Sequence, residues 1–191
     1  MNRNICVYCS SSNAVDEKYF IVARQLGETI AKNGDHLIYG GANLGLMGEI
    51  AKTVKANGGK VLGVLPRSLH ERKLAFHEAD ELIITETMRE RKEIMDQRAD
   101  AFIALPGGFG TLEELIEIIT LKQLNYHKKP VIILNVDGFY QKLHELFEVY
   151  FENKFANPDY ENLYTFQTDV NGTFNYIDNY VVPPISNKWF Y

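Results

Sequence analysis

Short runs of consecutive apolar residues alternate along the chain with longer stretches in which apolar positions recur every three or four residues. The short runs, closed by Gly, Pro or polar clusters, predict buried strands, and the periodic stretches predict amphipathic helices. Strands are expected at residues 5–9, 36–39, 60–65, 82–84, 100–105 and 130–136. Helices are expected at 16–33, from after Gly48 to about 57, at 87–98, 111–126 and 139–153, with a last one at 171–182. Residues 67–81 are charged and only weakly periodic, so they read as loop or short helix, and the pattern weakens again beyond Phe155. Strictly alternating strands and helices predict a doubly wound, Rossmann-like α/β fold, a mostly parallel sheet with helices on both faces. The whole chain, 1–191, is expected to form one domain. Right-handed crossovers then bring the turns that follow the strands to one edge of the sheet.

Two of those turns are rich in glycine. Ala104-Leu105-Pro106-Gly107-Gly108-Phe109-Gly110-Thr111-Leu112-Glu113-Glu114 reads as a strand end, a glycine turn and a helix start. Glycines admit close approach of a ligand to the backbone, and a helix start offers free amides and a positive dipole end, a combination suited to phosphate. The same residues also fit a plain capping box, with Thr111 as cap and Glu114 reaching back to the cap amide. The second turn runs from Gly40 and Gly41 to Gly45 and Gly48, and two such turns in one small domain strengthen the phosphate reading. Ser10, Ser11 and Ser12 follow the first strand and are candidate phosphate or ribose contacts, or else simple loop residues.

The charges of the helix at 87–98 are informative. At ~100° per residue Met88, Met95 and Ala99 form one stripe, with Arg91 and Lys92 within or beside it and Arg89 and Glu93 pointing away. A cation on an apolar face either has a partner or carries its head out to water along a packed stem. In the helix that starts at Thr111, Leu112, Leu115, Ile116, Ile119 and Tyr126 are expected to pack on the sheet. Ile118, Leu121 and Leu124 mark a second apolar side. A helix apolar on two sides is covered on two sides, which predicts a homodimer, with Glu114 beside the interface.

Composition narrows the classes of function. Hydrophobic residues at 46% and charged residues at 24% are ordinary globular values, and a net charge of −5 argues against extended nucleic-acid binding. No apolar stretch approaches the ~20 residues of a membrane span and no secretory apolar region opens the chain, so a cytoplasmic protein without membrane association is expected. Cys6 and Cys9 share a C-x-x-C spacing along a strand, away from the helix start that would activate a redox pair, and two ligands cannot complete a zinc site. No metal and no cofactor are expected.

Met88-Arg89-Glu90-Arg91-Lys92, followed by Pro106-Gly107-Gly108-Phe109-Gly110-Thr111-Leu112-Glu113-Glu114, resembles the LONELY GUY family. These are the cytokinin riboside 5′-monophosphate phosphoribohydrolases, long labelled possible lysine decarboxylases. Tyr39-Gly40-Gly41, Gly45-Leu46-Met47-Gly48, Gly63-Val64-Leu65-Pro66 and Asn135-Val136-Asp137-Gly138-Phe139-Tyr140 extend the resemblance over about residues 5–155. Ser10 stands where the family usually has Gly, and Lys73 where it often has a substrate-contacting Glu, with Glu71 the nearest acid before it.

The resemblance implies hydrolysis of the N-glycosidic bond of a nucleoside 5′-monophosphate, with or without an N6 substituent, to free base and ribose 5-phosphate. It carries catalytic roles to Arg91 and Glu114, phosphate binding to the turn from Gly107 through Gly108, Phe109 and Gly110 to Thr111, and substrate contact to Lys92 and Thr120. Thr120 points away from Thr111 by helix count and would act across a dimer. Met88, Glu113, Gly40, Gly41 and Ser10 complete the expected substrate-binding set. Bond cleavage develops positive charge at C1′ and negative charge on the base. Glu114, near a helix start and cations, is expected to stay ionised with a lowered pKa, suited to steadying the cation or orienting water. Arg91, which stays protonated, would anchor substrate and stabilise the leaving group. The alternative is a non-catalytic nucleotide or molybdenum-cofactor carrier on the same fold.

Overall fold

The computed structural model describes residues 2–184, and the aromatic end Trp189-Phe190-Tyr191 lies outside them. Within that span β1 (Asn4–Tyr8), β2 (His36–Tyr39), β3 (Lys60–Pro66), β4 (Glu81–Thr85), β5 (Ala101–Ala104), β6 (Val131–Leu134) and β7 (Thr165–Gln167) form one sheet. Its order is β4-β3-β2-β1-β5-β6-β7 and every pairing is parallel. The helices are α1 (Glu17–Lys32), α2 (Gly45–Ala56), the short α3 (Arg67–His70), α4 (Met88–Arg98), α5 (Phe109–Gln123), α6 (Gln141–Glu152) and α7 (Val170–Asp178).

Strand residues alternate between two cores. Ile5 and Val7 face α1, α2 and α7 through Leu26, Ile50 and Phe174, while Cys6 and Tyr8 face α4, α5 and α6 through Met95, Leu115 and Phe147. Both faces of the sheet are therefore covered, which is why its strands read as unbroken apolar runs. The chain reverses its direction of winding between β1 and β5, so the loops after these two strands diverge and open a crevice at the sheet's carboxyl edge.

Three expectations about where elements lie and begin or end need correction. β7 adds a seventh strand in the region where the pattern weakens, because three half-buried residues after a 3-10 turn (Pro158–Leu163) are too few for alternation to register. The last helix ends at Asp178, short of the expected 182. α5 begins at Phe109 with Gly108 as its cap and no side-chain capping bond, so Thr111 is a first-turn residue and no capping box forms.

The buried face of α5 also differs from the apolar reading. Thr111, Glu114, Leu115, Ile118, Ile119 and Lys122 face inward. Ile116, Leu124 and Tyr126 are exposed, so Ile118 belongs to the core and not to a second side, and Glu114 is inside the domain. Sorting by apolarity misplaced this face because three of its six inward residues are polar or charged. No helix among the described residues is long and apolar enough to cross a membrane.

Candidate active site

The crevice between the β1 and β5 loops is a cavity of about 490 Å³. Ser10 builds its floor: the Ser10 amide donates to Pro106 O at 3.2 Å, and Ser10 O accepts from the Leu46 and Met47 amides at 2.9 and 3.3 Å. Three strand-end loops are thus tied at one residue, whose hydroxyl accepts the Ser12 amide at 3.1 Å. Gly108, Phe109, Gly110 and Thr111, the cap and first turn of α5, form the facing wall. Their amides lack acceptors within the helix, the arrangement an anion needs.

The glycines of this turn do different things. A Cβ on Gly107 would lie 2.1 Å from Thr111 Oγ1, so Gly107 lets Thr111 pack beneath the turn and does not itself line the cavity. Gly108 and Gly110 have nothing within 4 Å of a Cβ position and leave that volume open on the cavity side.

Arg91 and Glu114 meet at the cavity wall. The side chains are 5% and 7% exposed, and Arg91 Nη1 donates to Glu114 Oε1 at 2.5 Å while Nε donates to Val64 O at 3.0 Å. The arginine has a partner and does not carry its head to water. Gly40 provides the room, since a Cβ there would fall 2.3 Å from Arg91 Nη2. Gly41, at φ +76°, packs against Val64 and Leu65 outside the cavity lining.

The expected lowering of the Glu114 pKa is not found. Burial pushes this carboxyl above the ordinary glutamate range, and the opposing pull of Arg91 is the smaller effect. Glu114 is the sixth residue of α5 and so lies past the first turn, where the dipole is felt most. The result is a carboxylate anchored by a guanidinium yet able to take up a proton more readily than a surface glutamate.

Met88, half exposed, lines the cavity with Arg91 and Glu114. Lys92 and Glu113 do not: Lys92 pairs with Glu113 and, at 2.8 Å, with Glu117, bridging α4 and α5 on their outer side. Thr120 is exposed and donates to Ile116 O at 2.7 Å, away from the cavity. Cys6 and Cys9 are free and buried, and burial pushes both thiols up, the reverse of an activated redox pair.

Sequence reasoning missed one wall. Leu69 and Leu74 line the cavity together with Leu44 and Met47. Their segment is clipped over the site by backbone bonds from Asn43 N to Leu74 O (2.7 Å) and Phe76 N to Gly41 O (3.0 Å). Two leucines in a charged stretch are too few to set a period, and the bonds that hold them are main-chain. Lys73, exposed at φ +58°, stands next to this wall but outside the lining.

A parallel doubly wound sheet with a glycine-lined cavity at its winding reversal defines a Rossmann-like protein with a small-molecule site. Residues 47–177 match the family described as possible lysine decarboxylase. A probable cytokinin riboside 5′-monophosphate phosphoribohydrolase of Oryza sativa subsp. japonica is 39% identical over 182 residues, 95% of this chain and 74% of the relative. A cytokinin riboside 5′-monophosphate phosphoribohydrolase of Arabidopsis thaliana is 48% identical over 141 residues, 74% of this chain and 66% of the relative. Among solved structures, the molybdenum cofactor binding protein of Rippkaea orientalis superposes with a TM-score of 0.71 at 26% identity, over 93% of this chain and 96% of that one. The chain belongs to the family described as possible lysine decarboxylase, the family of the LONELY GUY phosphoribohydrolases.

Proposed function

We propose that the protein hydrolyses the N-glycosidic bond of adenosine 5′-monophosphate or its N6-substituted forms, releasing the base and ribose 5-phosphate. The observation that carries this reading is the buried Arg91–Glu114 pair in the wall of a cavity lined by the α5 start. A ligand whose phosphate sits on the amides of Gly108 to Thr111 would have its ribose toward Glu114 and its base toward the apolar wall of Leu69, Leu74 and Met88. Glu114 then faces the C1′ at which positive charge develops, and its raised pKa also suits it to accept a proton from the attacking water. Arg91 orients that carboxylate and offers its charge to the departing base. The 39% and 48% identities to phosphoribohydrolases support a hydrolase over a cofactor carrier, whose structural relatives are less similar in sequence.

The same reading includes a homodimer. Phe109, Ile116 and Thr120 share one outward face of α5 by helical spacing, and Phe109 is 94% exposed at the cavity mouth. A second copy docked there would cover the aromatic ring and bring Thr120 and the Lys92–Glu113 pair beside the neighbouring site. Two free cysteines support a reducing, cytoplasmic setting.

The test is chromatographic detection of free base from a panel of nucleoside 5′-monophosphates with the matching nucleosides as controls. Release from the monophosphates, and far less from the nucleosides, is expected. Absence of base from every monophosphate would overturn the proposal.

A further inference from the structure

At the opposite end of α5 lies a cation whose counter-charge is not among the described residues. Lys122, in the last turn of the helix, is 1% exposed. Its ammonium donates to Leu163 O at 2.8 Å and stands 5.0 Å from the Tyr180 ring centroid, both neutral partners. Burial alone depresses its pKa, to about 8, with no carboxylate acting on it. A buried charge satisfied only in part is unfavourable unless an opposite charge reaches it.

Lys122 also lines a second cavity, of about 220 Å³, with Asn125, His127, Lys128 and residues 182–184. Among the described residues this lining holds two lysines and no acid, in a chain whose net charge is −5. His127 adds no charge: Nε2 bonds Ile118 O at 2.9 Å, Nδ1 accepts the Lys129 amide at 3.2 Å, and burial lowers its pKa. Eleven residues of helix separate Lys122 from Thr111, about 16 Å of rise, and the two cavities share no lining residue.

We infer that this second cavity binds a small phosphate-type oxyanion, held by Lys122 within and Lys128 at the mouth. The anion supplies the charge that Leu163 O and Tyr180 cannot, and the volume admits a tetrahedral oxyanion with room for water. The site is separate from the proposed hydrolytic centre and does not depend on it.

The test follows the Lys122 Cε resonance of the full-length protein by NMR through a pH titration, with assignment by Lys122→Met. Millimolar inorganic phosphate is compared with sodium chloride of equal ionic strength and with acetate. Phosphate is expected to raise the Lys122 midpoint by about one unit, as a close opposite charge does, and chloride and acetate are expected to leave it in place. Phosphate is also expected to raise the wild-type Tm by more than it raises that of Lys122→Met, while base release is the same in both. A midpoint unmoved by phosphate, or moved equally by chloride or by acetate, would overturn the inference, and the wild-type titration decides even if the variant folds poorly.

Discussion

Gly40→Ala probes the site through a residue that lines the cavity and makes room for Arg91. The new Cβ would stand 2.3 Å from Arg91 Nη2 and 3.1 Å from Met47 Sδ, whereas non-bonded heavy atoms rest at about 3.5 Å or more. The guanidinium must therefore retreat by about 1 Å. It cannot do so freely, because Nε is bonded to Val64 O and Nη1 to Glu114. Weakening one charge-assisted bond costs about 1.5–3 kcal/mol, offset by about 0.4–1 kcal/mol from the stiffer unfolded chain, since Gly40 does not occupy the left-handed region. A net loss of roughly 1–2 kcal/mol of stability follows. Activity should suffer more, because ~1 Å of misplacement is worth about 100-fold, or ~2.7 kcal/mol of barrier. Urea denaturation gives the first quantity and initial rates of base release give the second. A variant with kcat/KM within about threefold of wild type would refute the claim that Arg91 must be held where it is.

Further outcomes follow from other contacts. Gly108→Ala, with nothing within 4 Å of its Cβ, should keep wild-type stability but raise KM for the monophosphate by about tenfold, because the methyl enters the space where the proposed function puts the phosphate. Tyr140→Phe removes the hydroxyl that donates to Leu105 O at 2.8 Å and leaves that buried carbonyl at the start of the glycine turn unpaired. A loss of about 1–3 kcal/mol in denaturation is expected, with a fall in kcat. Arg91→Met alone should cost about 3–5 kcal/mol by stranding Glu114, and Arg91→Met with Glu114→Leu should recover most of it in the same assay. Burial depresses the Lys122 pKa to about 8, below the 10.5 of an ordinary lysine, so the unfolded chain binds more protons between these values. In phosphate-free buffer wild-type stability should rise with pH across that window relative to Lys122→Met, and parallel pH profiles would contradict it.

Strand and helix positions up to Glu152 are legible in the sequence because a sheet covered on both faces forces unbroken apolar runs and its helices must keep one packed side. The turn at Gly107 to Thr111 and the placement of Arg91 on an inward face are legible for the same reason. What the pattern hides is polar burial. Glu114, Thr111 and Lys122 face inward, and a reading that sorts residues by apolarity sends them outward and turns Ile118 away from the core. The raised Glu114 pKa is hidden by the same gap: charge neighbours follow from spacing, whereas the depth that outweighs them is a property of the folded wall. The Leu69 and Leu74 wall depends on main-chain bonds to Gly41 and Asn43, which no side-chain pattern encodes.

The proposed hydrolysis requires Glu114 to act on a bound nucleoside monophosphate. Its most direct test is Glu114→Gln, assayed side by side for adenosine 5′-monophosphate binding by calorimetry and for base release under saturating substrate. A Kd within about threefold of wild type is expected, with turnover lowered by at least ~100-fold. Turnover close to wild type, with binding intact, would contradict it.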